Sequence, residues 1–166
     1  MILRDTTLDD QALAIVSTAL KVLVEESHAT LALLIGEDGY VYSREGIPDL
    51  PDMIGLATLV AASFGAARET AKVAGETNFE STFWKGEKNG IFVVRLSTNH
   101  LLVALFTDNT TLGLVKVYAE KIAVQLGILL TERSHDTEFT ELDPQKGRWK
   151  DIVEALRGGG TEPLDL

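Results

Sequence analysis

Arg68 is the residue in this chain best suited to chemistry on another molecule. A guanidinium held against a bound nucleoside triphosphate neutralises charge that develops during phosphoryl transfer. Arg68 lies one helical turn past Gly65 and next to Glu69. The plainer reading, which we prefer, is a surface arginine paired with a carboxylate such as Glu69 or Glu76. Ser63 has no recognisable His or Asp partner, so a nucleophile is poorly supported. His28, His100 and His135 fall at a helix end, a turn and a linker, with no metal-ligand spacing, and each is expected to be solvated. His135-Asp136 with Glu138 makes a weak cation site at best. Asp9-Asp10 and Glu25-Glu26 are adjacent pairs, and neighbouring helical residues point in different directions.

No Gly-x-x-x-x-Gly-Lys-Ser/Thr occurs, and no Gly-x-Gly-x-x-Gly follows a strand. Gly158 to Gly160 sit near the end of the chain, away from any strand-to-helix turn. The expectation is a chain with no catalytic residue, metal or cofactor of its own. Any chemistry would belong to a partner.

The elements that must present these residues follow from composition and period. The 166 residues suit one domain with a tail, and 45% are hydrophobic, enough for a real core. The net charge of -10 disfavours nucleic acid and anionic lipid and favours a basic partner face. There is no cysteine, which excludes disulfides and thiol chemistry and fits a reducing cytoplasm. The first residues lack a basic region followed by an apolar run, so no signal peptide is expected. No apolar stretch approaches the roughly 20 residues needed to span a bilayer.

Apolar residues at helical spacing, from Ala12 to Leu23, predict a first helix capped by Thr7 with Asp10 and ending near Ser27-His28. Leu31 to Ile35 reads as a strand buried on both faces. Asp38-Gly39 reads as a hairpin turn, and Tyr40 to Ser43 as the second strand. Asp52 caps a second helix that Gly75 ends. Asn78 to Lys85, Ile91 to Leu96 and Leu101 to Thr107 predict three strands with short antiparallel connections. Leu112 to about Thr131 predicts a third helix, with Val115, Tyr118, Ile122, Leu126 and Leu129 on one stripe. The fold class is α+β, in the order α-β-β-α-β-β-β-α, with a five-stranded, mainly antiparallel sheet and helices on both faces. The domain spans 7–132. An acidic linker, a short helix at about 145–157 and a flexible tail make up 133–166.

The second helix is crowded with small residues, among them Ala61, Ala62, Gly65, Ala66 and Ala67. Glycine inside a helix costs about 1 kcal/mol relative to alanine, so Gly65 asks for a reason. Close packing on the domain's own sheet is one reason, and a second backbone brought close from outside is the other. Phe79, Phe83 and Trp84 pose the same choice. They fold inward, or they lie on an open sheet edge that another strand covers.

Leu56-Ala57-Thr58-Leu59-Val60-Ala61, Gly75-Glu76-Thr77-Asn78-Phe79 and Leu112-Gly113-Leu114-Val115-Lys116, in this order of elements, resemble the Roadblock / dynein light-chain family. The resemblance covers about residues 10 to 130 and is greatest to the bacterial MglB type. It implies a cytoplasmic homodimer joined through the second helix and the edge strand, with Phe79, Phe83 and Trp84 at the interface. It implies a Ras-like GTPase of the MglA kind as partner, seated on Ala61, Ala62, Gly65, Ala66 and Glu69. MglB-type proteins activate that GTPase by repositioning its own catalytic residues, and so set cell polarity and motility. Phe139, Trp149, Ile152 and Leu156 resemble a C-terminal extension that touches the GTPase elsewhere. A disordered solubilising tail is the alternative there. A scaffold or exchange-modulating module without catalytic effect uses the same helix face. A small-molecule sensor or enzyme on a PAS- or GAF-like fold is the reading furthest from these residues, because no convergent polar set lines a pocket.

Overall fold

The computed structural model describes residues 8–46 and 50–135 and, beyond them, Asp151, Glu154, Ala155 and Arg157. Helix α1 spans Asp10–Ser27. Its cap is Asp9, whose carboxylate accepts from the Ala12 N–H at 2.8 Å. The expected cap, Thr7, lies outside the described residues. Asp9 does the work because it sits three residues before a free N–H of the first turn, the spacing an N-cap needs. His28 ends the helix in the left-handed conformation, with φ 57°.

Strand β1, Leu31–Gly36, is buried along its whole length. It pairs antiparallel with β2, Val41–Gly46, through the turn at Gly39, where φ is +89°. A Cβ on Gly39 would come within 2.9 Å of the Thr58 backbone, so this turn packs directly on the second helix. Helix α2 spans Met53–Val73, and its Asp52 cap accepts from Gly55 N–H at 2.7 Å. Gly75, at φ +93°, closes the other end, where the N–H groups of Gly75 and Glu76 return to Lys72 and Ala71. Strands β3 (Ser81–Lys85), β4 (Gly90–Arg95) and β5 (His100–Phe106) follow, then α3 (Leu112–His135). The third helix thus runs past its expected end near Thr131. Strand β3 starts later than expected, at Ser81, and ahead of it the Asn78 side chain donates to the Glu80 carboxylate.

All strand pairs are antiparallel, in the order β2-β1-β5-β4-β3. Alternation along the central strands separates two cores. Ala32, Leu34, Leu102 and Ala104 meet α1 and α3 on one face. Leu31, Leu33, Ile35 and Val103 meet α2 on the other. The third helix buries Val115, Ala119, Ile122, Ala123, Leu126 and Leu130. Tyr118 and Leu129, placed by sequence on the buried stripe, are only partly covered at its margin. The alanines let α3 lie close to the sheet.

One expectation fails outright. His100 is not a solvated turn residue but the first residue of β5, opposite Gly36, and only 4% exposed. The β4–β5 connection is tighter than its polar sequence implied, with Leu96 N–H donating to His100 O at 3.0 Å. The ring pairs with Thr98 Oγ1 at 2.7 Å and stands edge-on to Tyr42 at 5.0 Å. Burial lowers its pKa below 6.5, against the opposing charges of Asp38 and Glu37.

Candidate functional site: the outer face of α2 and the β3 edge

The inner stripe of α2 is Ala57, Val60, Ala61 and Phe64. Ala61 is 6% exposed and belongs to the sheet-side core, so it does not share the face expected to meet a partner. Ala62, Ala66 and Glu69 do face outward, and Gly65 lies half-exposed beside them. Nothing lies within 4 Å of where a Gly65 Cβ would sit. No packing within the described chain therefore explains this glycine.

The outer face holds more apolar surface than the small residues alone imply. Leu59 is 68% exposed and Val73 is 91% exposed, and Leu59, Ala62, Ala66 and Val73 recur on one side of the helix. The signal was present in their spacing. Once 57, 60, 61 and 64 are taken as the core stripe, 59, 62, 66 and 73 fall outside it. Small residues in the middle, with Ser63 and Thr70 among them and large apolar ones at each end, form a shallow face on which a second helix can lie closely.

Arg68 is half-buried and donates to Glu37 Oε1 at 3.1 Å, tying α2 to the β1–β2 turn. Its sequence neighbours are not its partners. Glu69 instead accepts from Lys72 at 2.7 Å, and that bond, with the lysine's charge, lowers the Glu69 pKa. The Arg68 guanidinium is thus directed at the hairpin, with its Nε buried and unbonded.

Strand β3 is one of two sheet edges. The other, β2, carries the charged pair Arg44-Glu45, which discourages strand addition. In β3 the hydrogen bond from Arg95 N–H to Glu80 O sets the phase of the ladder. Even-numbered residues bond β4, so the backbone groups of Ser81, Phe83 and Lys85 point to the open side. The three aromatics expected at an interface do not cluster. Phe83 stacks on Phe106 at 5.9 Å on the α1/α3 face. Phe79 meets Phe64 at 5.2 Å on the α2 face, where Trp84 is also half-buried. They close the margins of the two cores, and the exposed feature of the edge is its backbone.

Phe139, Trp149, Ile152 and Leu156 lie outside the described residues. Among the described residues no group of three or more His, Cys, Asp or Glu could hold a metal, and no helix is long and apolar enough to cross a membrane. The features that stand out are surfaces, an apolar helix face and an open strand.

These surfaces flank a sheet that is covered by helices on both faces. Residues 15–106 match the Roadblock/LC7 domain, and the chain belongs to that family. Among solved structures, a protein described as MglB with tetrameric arrangement is 29% identical, with 79% of this chain and 98% of that one covered and a TM-score of 0.73. The gliding protein mglB from Thermus thermophilus is 28% identical, with 79% and 99% covered and a TM-score of 0.71. Myxococcus xanthus MglB has a TM-score of 0.72 over 79% of this chain and 98% of its own, and at 24% identity shows the shared fold alone. No curated protein sequence matches the chain.

Proposed function

We propose that the chain is a cytoplasmic homodimeric activator of a small Ras-like GTPase, of the kind MglB-type proteins serve. The observation that carries this reading is the outer face of α2. Ala62, Gly65 and Ala66 leave room for a partner backbone, and nothing in the described chain occupies it. The similarity to MglB proteins supports a small GTPase as the class of partner. On this reading α2 and β3 form the self-interface, and the paired α2 helices hold the GTPase. Activation then consists of fixing the partner's own groups where charge develops, worth several kcal/mol of barrier. The gliding role of the Thermus thermophilus protein supports an output in motility or polarity. The tetrameric arrangement of the other MglB supports a further pairing of dimers.

Single-turnover GTP hydrolysis by the Ras-like GTPase of the same genome, with and without this protein, tests the reading. Strong stimulation is expected. Binding without stimulation would replace it with a scaffold or exchange-modulating role, which the same face serves. Absence of both would remove the GTPase as partner.

A further inference from the structure

The turn between β3 and β4 joins an exposed asparagine to a glycine that the core holds in place. Asn89-Gly90 is the one Asn-Gly pair in the chain. Gly90 is buried, and a Cβ on it would stand 2.6 Å from Cζ of Phe106, whose ring stacks on Phe83. No side chain fits there without displacing that ring pair. Asn89 is exposed, and its side-chain amide hydrogen-bonds to none of the described residues, so it turns freely. The bond from Leu96 N–H to His100 O sets the phase of the β4–β5 ladder and turns the Gly90 N–H toward Phe106, at the last pair of that ladder. A terminal pair opens more readily than the middle of a strand, and opening frees this nitrogen beside the Asn89 side chain. The other asparagines lack the combination. Phe79, His100 and Thr110 follow them, and each puts a side chain where glycine leaves the approach open. Asn78 Nδ2 also donates to Glu80 at 2.7 Å, and Asn109 Nδ2 to His28 O at 3.2 Å. Asp38-Gly39 has the glycine, but its acid has no amine to release and accepts from Tyr40 N–H at 3.0 Å.

We propose that Asn89 is a site of self-modification, at which the Gly90 nitrogen displaces ammonia from the side-chain amide and closes a succinimide. The Gly90 nitrogen bonds to Asn89 Cγ as the Cγ–Nδ2 bond breaks. The proton it loses passes through water to Nδ2, which leaves as ammonia. The ring then takes up one water. Opening at Cγ leaves aspartate, and opening at the Asn89 backbone carbonyl leaves isoaspartate, in which the chain runs through the former side chain. Nothing is oxidised or reduced, and water is the only co-reactant. Either product adds a negative charge beside Lys85, Glu87 and Lys88. Isoaspartate also adds a backbone carbon just ahead of the β4 ladder, and makes the turn a substrate for a methyltransferase that esterifies isoaspartyl carboxylates. The site needs neither the dimer nor the GTPase.

Incubation of the folded, full chain in mildly alkaline buffer tests this, followed by peptide mass spectrometry and by methyl transfer from a purified isoaspartyl methyltransferase. Conversion is expected at Asn89 at a rate at least about tenfold that at Asn78, Asn99 or Asn109, a barrier lower by about 1.4 kcal/mol. Methyl acceptance is expected to rise with it and to be lost in Asn89→Gln, whose longer side chain does not close the same ring. The position is exposed, so the variant keeps its fold, which circular dichroism checks. Conversion at Asn89 no faster than at the other asparagines, or seen only in urea-unfolded chain, overturns the proposal. Conversion to aspartate with no methyl acceptance overturns the succinimide route, because direct hydrolysis leaves no isoaspartate. Methyl acceptance that persists in Asn89→Gln overturns the assignment of the site.

Discussion

On the proposed function, Gly65 is the position at which the stability of the domain and its capacity to bind can be separated. The position is helical, half-exposed, and has no atom within 4 Å of an added Cβ. Alanine there relieves the conformational entropy that glycine loses in a helix, a gain of about 1 kcal/mol. In a domain of this size that raises Tm by about 2–4 °C. Arginine at the same position also finds open space in the isolated chain, so the fold is kept. Its side chain would stand where a second helix must approach. Even about 1.4 kcal/mol of lost contact raises Kd tenfold, and a side chain this large in a backbone-to-backbone contact costs more than that. The assay is paired: thermal unfolding of Gly65→Ala and Gly65→Arg, then GTPase stimulation by each. The expected pattern is folded protein in both, with stimulation abolished in Gly65→Arg. A folded Gly65→Arg protein that stimulates as the wild type does refutes the reasoning.

Ser81→Pro tests the open edge. The N–H of Ser81 points away from β4, so proline breaks no ladder bond within the chain and blocks pairing outside it; circular dichroism is expected to be unchanged while sedimentation shows loss of the β3-paired dimer. Arg68→Ala is expected to leave stimulation nearly intact, because the guanidinium is committed to Glu37. Loss of a transition-state arginine would instead cost about 10³–10⁵-fold in single-turnover rate. A double-mutant cycle between Arg68 and Glu37, whose side chains are 30% and 28% exposed, should give a coupling of at most about 1 kcal/mol in denaturant unfolding. For His100, the folded pKa is lowered from 6.5, so the unfolded chain takes up the proton first as pH falls. Its contribution is complete above 6.5 and is lost as pH drops through the folded value, and His100→Gln should flatten that part of the pH–stability profile.

Much of this fold was legible because its elements announce themselves in one period each. Leu31 to Ile35 is apolar at every position, which only a strand covered on both faces tolerates, and it is the fully buried β1. Asp52, Gly39 and Gly75 each perform the cap or turn their type demands. What was not legible depended on long-range placement. His100 sits in a polar stretch, and its burial comes from pairing with Gly36, a residue distant in sequence. Arg68 took Glu37 rather than a helical neighbour, because the β1–β2 turn folds onto α2. Ala61 and Ala62 are identical in type and adjacent, and only the phase of the helix against the sheet assigns one to the core and one to the surface. The aromatics Phe79, Phe83 and Trp84 form one cluster in sequence and two in space: Phe83 and Trp84 are successive strand residues on opposite faces, whereas Phe79 precedes the strand and packs against Phe64.

The two sheet faces are covered unequally. Two helices share the α1/α3 face and bury a continuous core between them and the sheet. A single helix covers the other, and it buries only Ala57, Val60, Ala61 and Phe64. Around it Val41, Leu50, Met53, Leu56, Trp84 and Ile91 remain half-covered. A five-stranded sheet is about 20–25 Å wide, at roughly 4.7–4.9 Å per strand, whereas one helix with side chains is about 10–12 Å across. One helix covers the central strands of that face and leaves its margins half-covered. On the proposed function, a second α2 brought alongside by pairing of β3 strands would cover part of that margin. The same step places the small-residue faces of both helices on one side of a continuous sheet, where a GTPase can contact the two together. On the proposed function, self-association and partner binding would be successive uses of one layer. Ser81→Pro should then abolish GTPase stimulation as well as the dimer, and a monomeric Ser81→Pro protein with full stimulation would break that link.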